Sequence, residues 1–202
     1  GLDDIIAFDT GPGNMVINRI TWHITRGGQS FDEGGTLAHR GKINEKLLSQ
    51  LMRHPFLRKP PPKSTGREEF GHSFADNLYS KTNPGDELSL LATVTAFTAR
   101  GIAEGYKRFI IPHHPLHKVF LYGGGVRNHT LVRFLKEYLP SVPVRSIEEL
   151  GIPTQAKEPM SFAVLAYEAL AGHPANVPSA TGARDRVVLG KIVPGRNWKN
   201  LI

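Results

Sequence analysis

The sequence predicts an α/β fold. Two stretches carry that prediction, each with a short apolar run, a glycine-rich turn and then an amphipathic segment. The first is Ile5-Ile6-Ala7-Phe8, followed by Asp9-Thr10-Gly11-Pro12-Gly13-Asn14 and the helix face of Met15, Val16, Ile17 and Ile20. The second is Val119-Phe120-Leu121-Tyr122, then Gly123-Gly124-Gly125, then Leu131, Leu135 and Tyr138 at helical spacing. A third observation agrees. Apolar runs and helical patterns alternate along the rest of the chain, with no solenoid repeat and no low-complexity tract.

Residues 5–8 read as a buried strand and residues 14–25 as the first helix. Residues 34–41 read as a loop. Residues 43–52 carry a second helical pattern, with Leu47, Leu48 and Leu51 on one face. Pro60-Pro61-Pro62 excludes both helix and central strand. It leads into the polar loop Lys63-Ser64-Thr65-Gly66-Arg67-Glu68.

Residues 86–110 hold the longest helical pattern, with Leu88, Leu91, Ala92, Thr95, Thr98, Ala99, Ile102 and Ala103 on a continuous face. Gly101 and Gly105 inside it each weaken the helix by about 1 kcal/mol relative to Ala. That cost predicts close packing against a neighbour. The helix after the triple glycine ends at Pro140, and residues 142–144 read as a short strand. Residues 157–170 are rich in small and apolar side chains and predict a buried helix. From Gly172 the tail is rich in Pro, Gly and Asn, with one candidate strand at residues 187–189.

Composition bounds the function. The chain has 202 residues and 40% hydrophobic content, enough for a packed core. No apolar run approaches the roughly 20 residues that span a bilayer, and no leader peptide is visible, so a membrane partner is not expected. Cysteine is absent, which excludes disulfides and thiolate metal sites and fits a reducing compartment, with cytosol the default. The formal charge is +7, yet Lys and Arg are scattered and no basic strand is interleaved with aromatic residues. Nucleic acid is therefore not the expected partner; a basic surface equally attracts the phosphates of a small substrate.

Asp9 stands where a strand gives way to glycines and a helix start. Gly11 and Gly13 let the backbone approach a ligand, and the new helix offers N–H groups to an anion. A carboxylate repels phosphate, so Asp9 fits as a base or as a magnesium contact beside one. The alternative is an ordinary turn with Asn14 capping the helix. Gly123, Gly124 and Gly125 leave room for a flat group against the backbone, and Asn128 can cap the next helix or bond a ligand. Their spacing differs from the G-x-G-x-x-G fingerprint. Two such turns could grip opposite ends of a nucleotide. Lys63 and Arg67 are candidates for an anion, Arg67 by a bidentate fork. Glu158 opens an apolar helix, where a carboxylate also complements the helix dipole. His113-His114, between prolines, reads as a loop, and no protein-built metal site is expected.

Taken in order, these motifs resemble the C-terminal half of the anhydro-N-acetylmuramic acid kinases. The residues that carry the likeness are Phe8-Asp9-Thr10-Gly11-Pro12-Gly13-Asn14, then Phe31-Asp32 with Gly34 and Gly41, then Pro62-Lys63-Ser64-Thr65-Gly66-Arg67-Glu68. They continue through Leu91-Ala92-Thr93-Val94-Thr95, Gly123-Gly124-Gly125 with Asn128, Glu149-Leu150-Gly151-Ile152-Pro153 and Phe162-Ala163-Val164-Leu165-Ala166 to Thr181-Gly182-Ala183. The likeness runs nearly end to end.

That family is grouped with sugar kinases, acetate kinase, heat-shock ATPases and actin. The resemblance implies that residues 1–202 form one C-terminal, RNase H-like lobe of a two-lobe kinase, a mixed sheet flanked by helices, with the N-terminal lobe absent. It implies hydrolytic opening of a 1,6-anhydro ring with transfer of phosphate from ATP, as the Mg complex, to the 6-hydroxyl. That reaction belongs to amino-sugar recycling from peptidoglycan. Asp9 takes the place of the family's general base. Gly11, Gly13, Gly123, Gly124, Gly125 and Asn128 take the nucleotide side, and Lys63, Arg67 and Glu158 the sugar side. The implied partners are ATP, an anhydro-amino-sugar and the N-terminal lobe, and a homodimer is allowed. Pro159 departs from the small residue expected beside Glu158. The isolated chain, lacking the upstream phosphate loop, is expected to turn over nothing. The competing expectation is a non-catalytic binding or regulatory module that retains the fold.

Overall fold

The computed structural model describes residues 5–193, 195 and 196. The chain divides into two compact units: Phe8–Lys157, and the residues on either side of that span.

The larger unit is organised around one helix. Its helices are α1 (Met15–Ile24), α2 (Thr36–Arg40), α3 (Glu45–Leu51), α4 (Pro55–Arg58), α5 (Arg67–Phe70), α6 (His72–Ser80) and α7 (Glu87–Gly105). Strand β1 (Val119–Leu121), helix α8 (His129–Tyr138) and strand β2 (Val144–Ser146) follow. Helix α7 is buried nearly all round, and α1, α2, α3 and α8 pack against it. It tolerates three threonines because their hydroxyls find acceptors. Thr93 and Thr95 bond back to the Ser89 and Leu91 carbonyls, at 2.6 and 2.8 Å. Thr98 instead reaches the Gly13 carbonyl at 2.8 Å and ties the first glycine turn to the helix.

Gly101 and Gly105 have the close neighbour their sequence cost predicts. A Cβ on Gly101 would lie 3.0 Å from the Thr10 carbonyl oxygen, and one on Gly105 would lie 3.0 Å from the Thr10 methyl and 3.2 Å from the Phe8 ring. Beside this contact Phe56, Phe70, Phe74 and Phe97 meet edge to face, with ring centroids 5.4–6.1 Å apart. Each fully buried ring contributes about 1.5–3 kcal/mol. Arg19 of α1 grips Asp76 of α6 through two bonds of 2.6 and 3.0 Å, and His23 Nε2 lies 2.6 Å from the same carboxylate.

Several expectations need correction. Among the described residues the sheet is two-stranded and parallel, Val119 opposite Val144, where a mixed sheet was expected. Residues 5–8 form no strand, because a strand needs a neighbour to pair with and Asp9 N–H bonds the Lys63 carbonyl instead, at 3.0 Å. The predicted loop at residues 34–41 contains a 3-10 turn, Glu33–Gly35, and helix α2. Asp32 organises it by accepting the Leu37 and Ala38 N–H groups, both at 2.9 Å. Residues 142–144 yield a strand two residues later. The 86–110 pattern becomes α7 and a π turn, Tyr106–Ile110.

Helix α9 (Lys157–Leu170) starts at the end of the larger unit and otherwise belongs to the smaller one, with α10 (Pro178–Thr181). Helix α9 is exposed, not buried: Met160, Phe162, Val164, Tyr167 and Leu170 are each more than half accessible. Its composition signals an appetite for burial that the described residues do not meet. Residues 187–189 form no strand; Asn176 holds that segment, accepting the Val187 N–H and donating to the Asp185 carbonyl. No described helix is long and apolar enough to cross a membrane.

Candidate functional site

The two stretches, far apart in sequence, meet at one cavity, although Gly11 and Gly13 are not among its lining residues and Gly11 faces the Leu57 side chain instead. The cavity measures about 260 Å³ and is lined by Asn14 and Asn18 of the first stretch, Phe31 and Asp32, and Gly124, Gly125, Arg127 and Asn128 of the second. The contact is direct. A Cβ on Gly125 would lie 3.4 Å from the Asn14 amide nitrogen. Asn14 makes no side-chain cap to α1, so its amide is turned to the cavity instead of serving as the alternative reading required.

Each turn is built for its place. Gly123 has φ +77, a conformation that side chains disfavour, and a 3-10 turn, Gly124–Arg127, follows. Beyond Gly123 and Gly124 the space is open: a Cβ on either would meet nothing within 4 Å. Asn128 is buried and spends its Oδ1 on the Leu131 N–H at 2.9 Å, capping α8. Thr130 Oγ1 donates to the Gly35 carbonyl at 2.7 Å, which fastens the start of α8 to the Asp32 loop. Gly13 has φ +56, and its carbonyl is held by Thr98.

Asp9 is exposed and does not line this cavity. Its Oδ2 accepts the Thr65 N–H at 2.8 Å, and Oδ1 takes no hydrogen bond among the described residues. One oxygen is thus fixed and the other free, an arrangement suited to receiving a proton. The Thr65 hydroxyl beside it is buried without a partner among the described residues.

The remaining candidates scatter. The Lys63 ammonium turns inward, donating to the Phe56 and Leu57 carbonyls at 3.1 and 3.3 Å. Burial pushes its pKa down, Arg108 pushes the same way, and Asp9 opposes both. Arg67 lines a second cavity of about 410 Å³ with Asn18, Trp22, Ser30 and His72. Asn18 is a wall of both cavities. Glu158 lies exposed in the first turn of α9, within the smaller unit. His113 and His117 are four apart but sit in a turn and loop. Among the described residues no three His, Asp or Glu cluster to hold a metal.

Sequence reasoning missed the roles of Asn14, Asn18 and Arg127 as cavity walls. Asn14 and Asn18 lie four apart on one helix face, which was a usable signal.

The family profile described as Anhydro-N-acetylmuramic acid kinase matches residues 2–195. A protein of that name from Caldanaerobacter subterraneus subsp. tengcongensis is 47% identical over 193 residues, covering 95% of this chain and 49% of the relative. Those of Clostridioides difficile and Bacillus cereus are each 44% identical, over 96% and 94% of this chain and 50% of the relative. The chain therefore spans about half the length of the curated relatives it matches. On the profile match and the extent of identity, the chain belongs to the anhydro-N-acetylmuramic acid kinase family.

Proposed function

We propose that this chain is the C-terminal lobe of an ATP-dependent kinase that opens a 1,6-anhydro-amino-sugar with water and phosphorylates its 6-hydroxyl. The observation that carries the reading is one cavity lined by Asn14 and Asn18, at and beyond the end of the first glycine turn, and by Gly124, Gly125 and Asn128 of the second, in a chain of this family. The lobe is read as RNase H-like, completed by an N-terminal lobe of similar size.

Asp9 acts as the general base. Its free carboxylate oxygen takes a proton from water as the water oxygen bonds C1. The C1–O6 bond breaks, and O6 attacks the γ-phosphorus, releasing ADP. The Thr65 N–H holds the other oxygen so that the base needs no reorientation. Gly11, Gly13, Gly123, Gly124, Gly125 and Asn128 form the nucleotide side, where the open backbone at Gly123 and Gly124 suits a flat adenosine. A magnesium ion carried by the nucleotide would supply neutralisation of the phosphate charge. Arg67 is the sugar-side candidate within the larger unit, with the fork geometry for the sugar's carboxylate. A cysteine-free chain fits a reducing compartment such as the cytosol.

The test is phosphate transfer from ATP to anhydro-N-acetylmuramic acid by the complete protein that contains this chain. Asp9→Asn should lower turnover by roughly 10²–10⁴-fold with little change in ATP binding. Near-normal turnover in that variant would remove Asp9 from the reaction.

A further inference from the structure

We propose that Lys63 is a positioning residue for the Asp9 carboxylate, clamping the segment that orients the base, and that it makes no contact with the sugar. The proposal rests on the reading of Asp9 as the base.

The side chain of Lys63 is fully engaged inside the protein. Its ammonium donates to two carbonyls of α4, those of Phe56, which also accepts the Lys59 N–H, and of Leu57. It lies over three aromatic rings, Phe56 at 4.8 Å, Phe109 at 4.9 Å and Phe8 at 5.7 Å. A cation over aromatic faces and between carbonyls is anchored, not displayed. An arm that met the sugar would have to leave all five contacts.

The backbone of the same segment reaches Asp9 at two points. The Lys63 carbonyl accepts the Asp9 N–H at 3.0 Å, and two residues later the Thr65 N–H donates to Asp9 Oδ2 at 2.8 Å. Residues 63–65 thus fix both the main chain and the carboxylate of Asp9. The only side-chain anchor of that segment to the core is the Lys63 ammonium, among the described residues. Its third partner, Phe8, is the residue preceding Asp9, so the anchor grips the segment and the base's own neighbour together. Phe8 also meets Phe109 edge to face, at 5.5 Å.

Charge reinforces geometry. Lys63 and Asp9 attract, while Arg108 and Lys59 repel the ammonium. Methionine at position 63 would keep the stem's packing and lose both the carbonyl clasp and the charge. Arginine would keep the charge and the ring contacts.

The experiment compares wild type, Lys63→Met and Lys63→Arg in the 202-residue chain by NMR, reading the exchange of the Thr65 amide. Lys63→Met should speed Thr65 exchange by about tenfold or more. Lys63→Arg should recover part of that protection. In the complete protein Lys63→Met should lower kcat with the sugar KM unchanged, and Lys63→Arg should recover part of it. A folded Lys63→Met chain with unchanged Thr65 exchange overturns the proposal, as does a raised sugar KM with kcat intact. Should Lys63→Met not fold, the wild-type chain decides. Slowly exchanging ammonium protons with cross-peaks to the Phe56 and Phe109 rings support the clasp, and rapid exchange refutes it. These NMR readings do not depend on turnover, so loss of the base assignment and loss of the clasp are separable.

Discussion

Replacing Gly35 by alanine should destabilise the larger unit through the helix cap of the candidate site. Gly35 is buried with φ +71, and an added Cβ would lie 2.2 Å from Asn128 Oδ1 and 2.9 Å from the Thr130 nitrogen. Two costs follow. Alanine in the left-handed region costs about 1–2 kcal/mol. Expelling the Asn128 amide forfeits the bond to Leu131 N–H, and a lost cap costs about 1 kcal/mol. The expected total is about 2–3 kcal/mol, so the best-protected amides of α7 should exchange roughly 30- to 150-fold faster. Hydrogen exchange suits a chain of two compact units, because it reads opening residue by residue without assuming one transition. The mechanism has a sharper signature. In an Asn128→Ala background the cap is already gone, so Gly35→Ala should cost only about 1–2 kcal/mol there, leaving a coupling of about 1 kcal/mol. A strictly additive pair, or a single variant within about 0.5 kcal/mol of wild type, would refute the collision with Asn128.

Gly124→Val should separate function from folding, because nothing lies within 4 Å of its added Cβ. Stability should stay within about 0.5 kcal/mol while ATP affinity of the complete protein, measured by calorimetry, falls by about tenfold or more. Unchanged affinity would take adenosine away from this turn. The bonds from Arg19 hold the Asp76 carboxyl down at about 2; burial opposes them, and the His23 bond adds to them. A depressed carboxylate contributes stability above its unfolded value, lost as pH falls toward the folded one. Denaturation midpoints should therefore drop between about pH 4 and pH 2 in wild type, and Asp76→Asn should flatten that part of the curve.

How much of this was legible in the sequence depended on whether the cause was local. Helices α1, α3, α7 and α8 could be read from apolar spacing, because the face they bury is a property of the segment itself. Gly101 and Gly105 announced a close neighbour by their cost. Helix α2 was not legible, since the carboxylate that nucleates it, Asp32, stands before two glycines that read as a loop. Helices α4 and α5 are single turns set by their surroundings, and α6 was hidden in a polar stretch whose helicity rests on packing against α1. The strand at residues 5–8 and the burial of α9 failed for a shared reason. Apolar composition states what a segment would bury, and only a partner supplies the pairing or the cover. In the site, the glycines and Asp9 were visible as turn chemistry. Asn14 and Asn18 become cavity walls only once α8 is brought beside α1. The inward turn of Lys63 was not legible because two of its three rings, Phe8 and Phe109, come from distant places in the chain.

Helix α7 has one further consequence. Both halves of the cavity are referenced to it: the first turn through Thr98 and Gly101, the second through α8 packed along its side. A close-packed helix is nearly incompressible and behaves as a spacer of fixed width. The gap between Asn14 and the 124–128 turn is therefore set when the protein folds, not when a ligand arrives. A gap held by such a spacer discriminates by thickness rather than by closing.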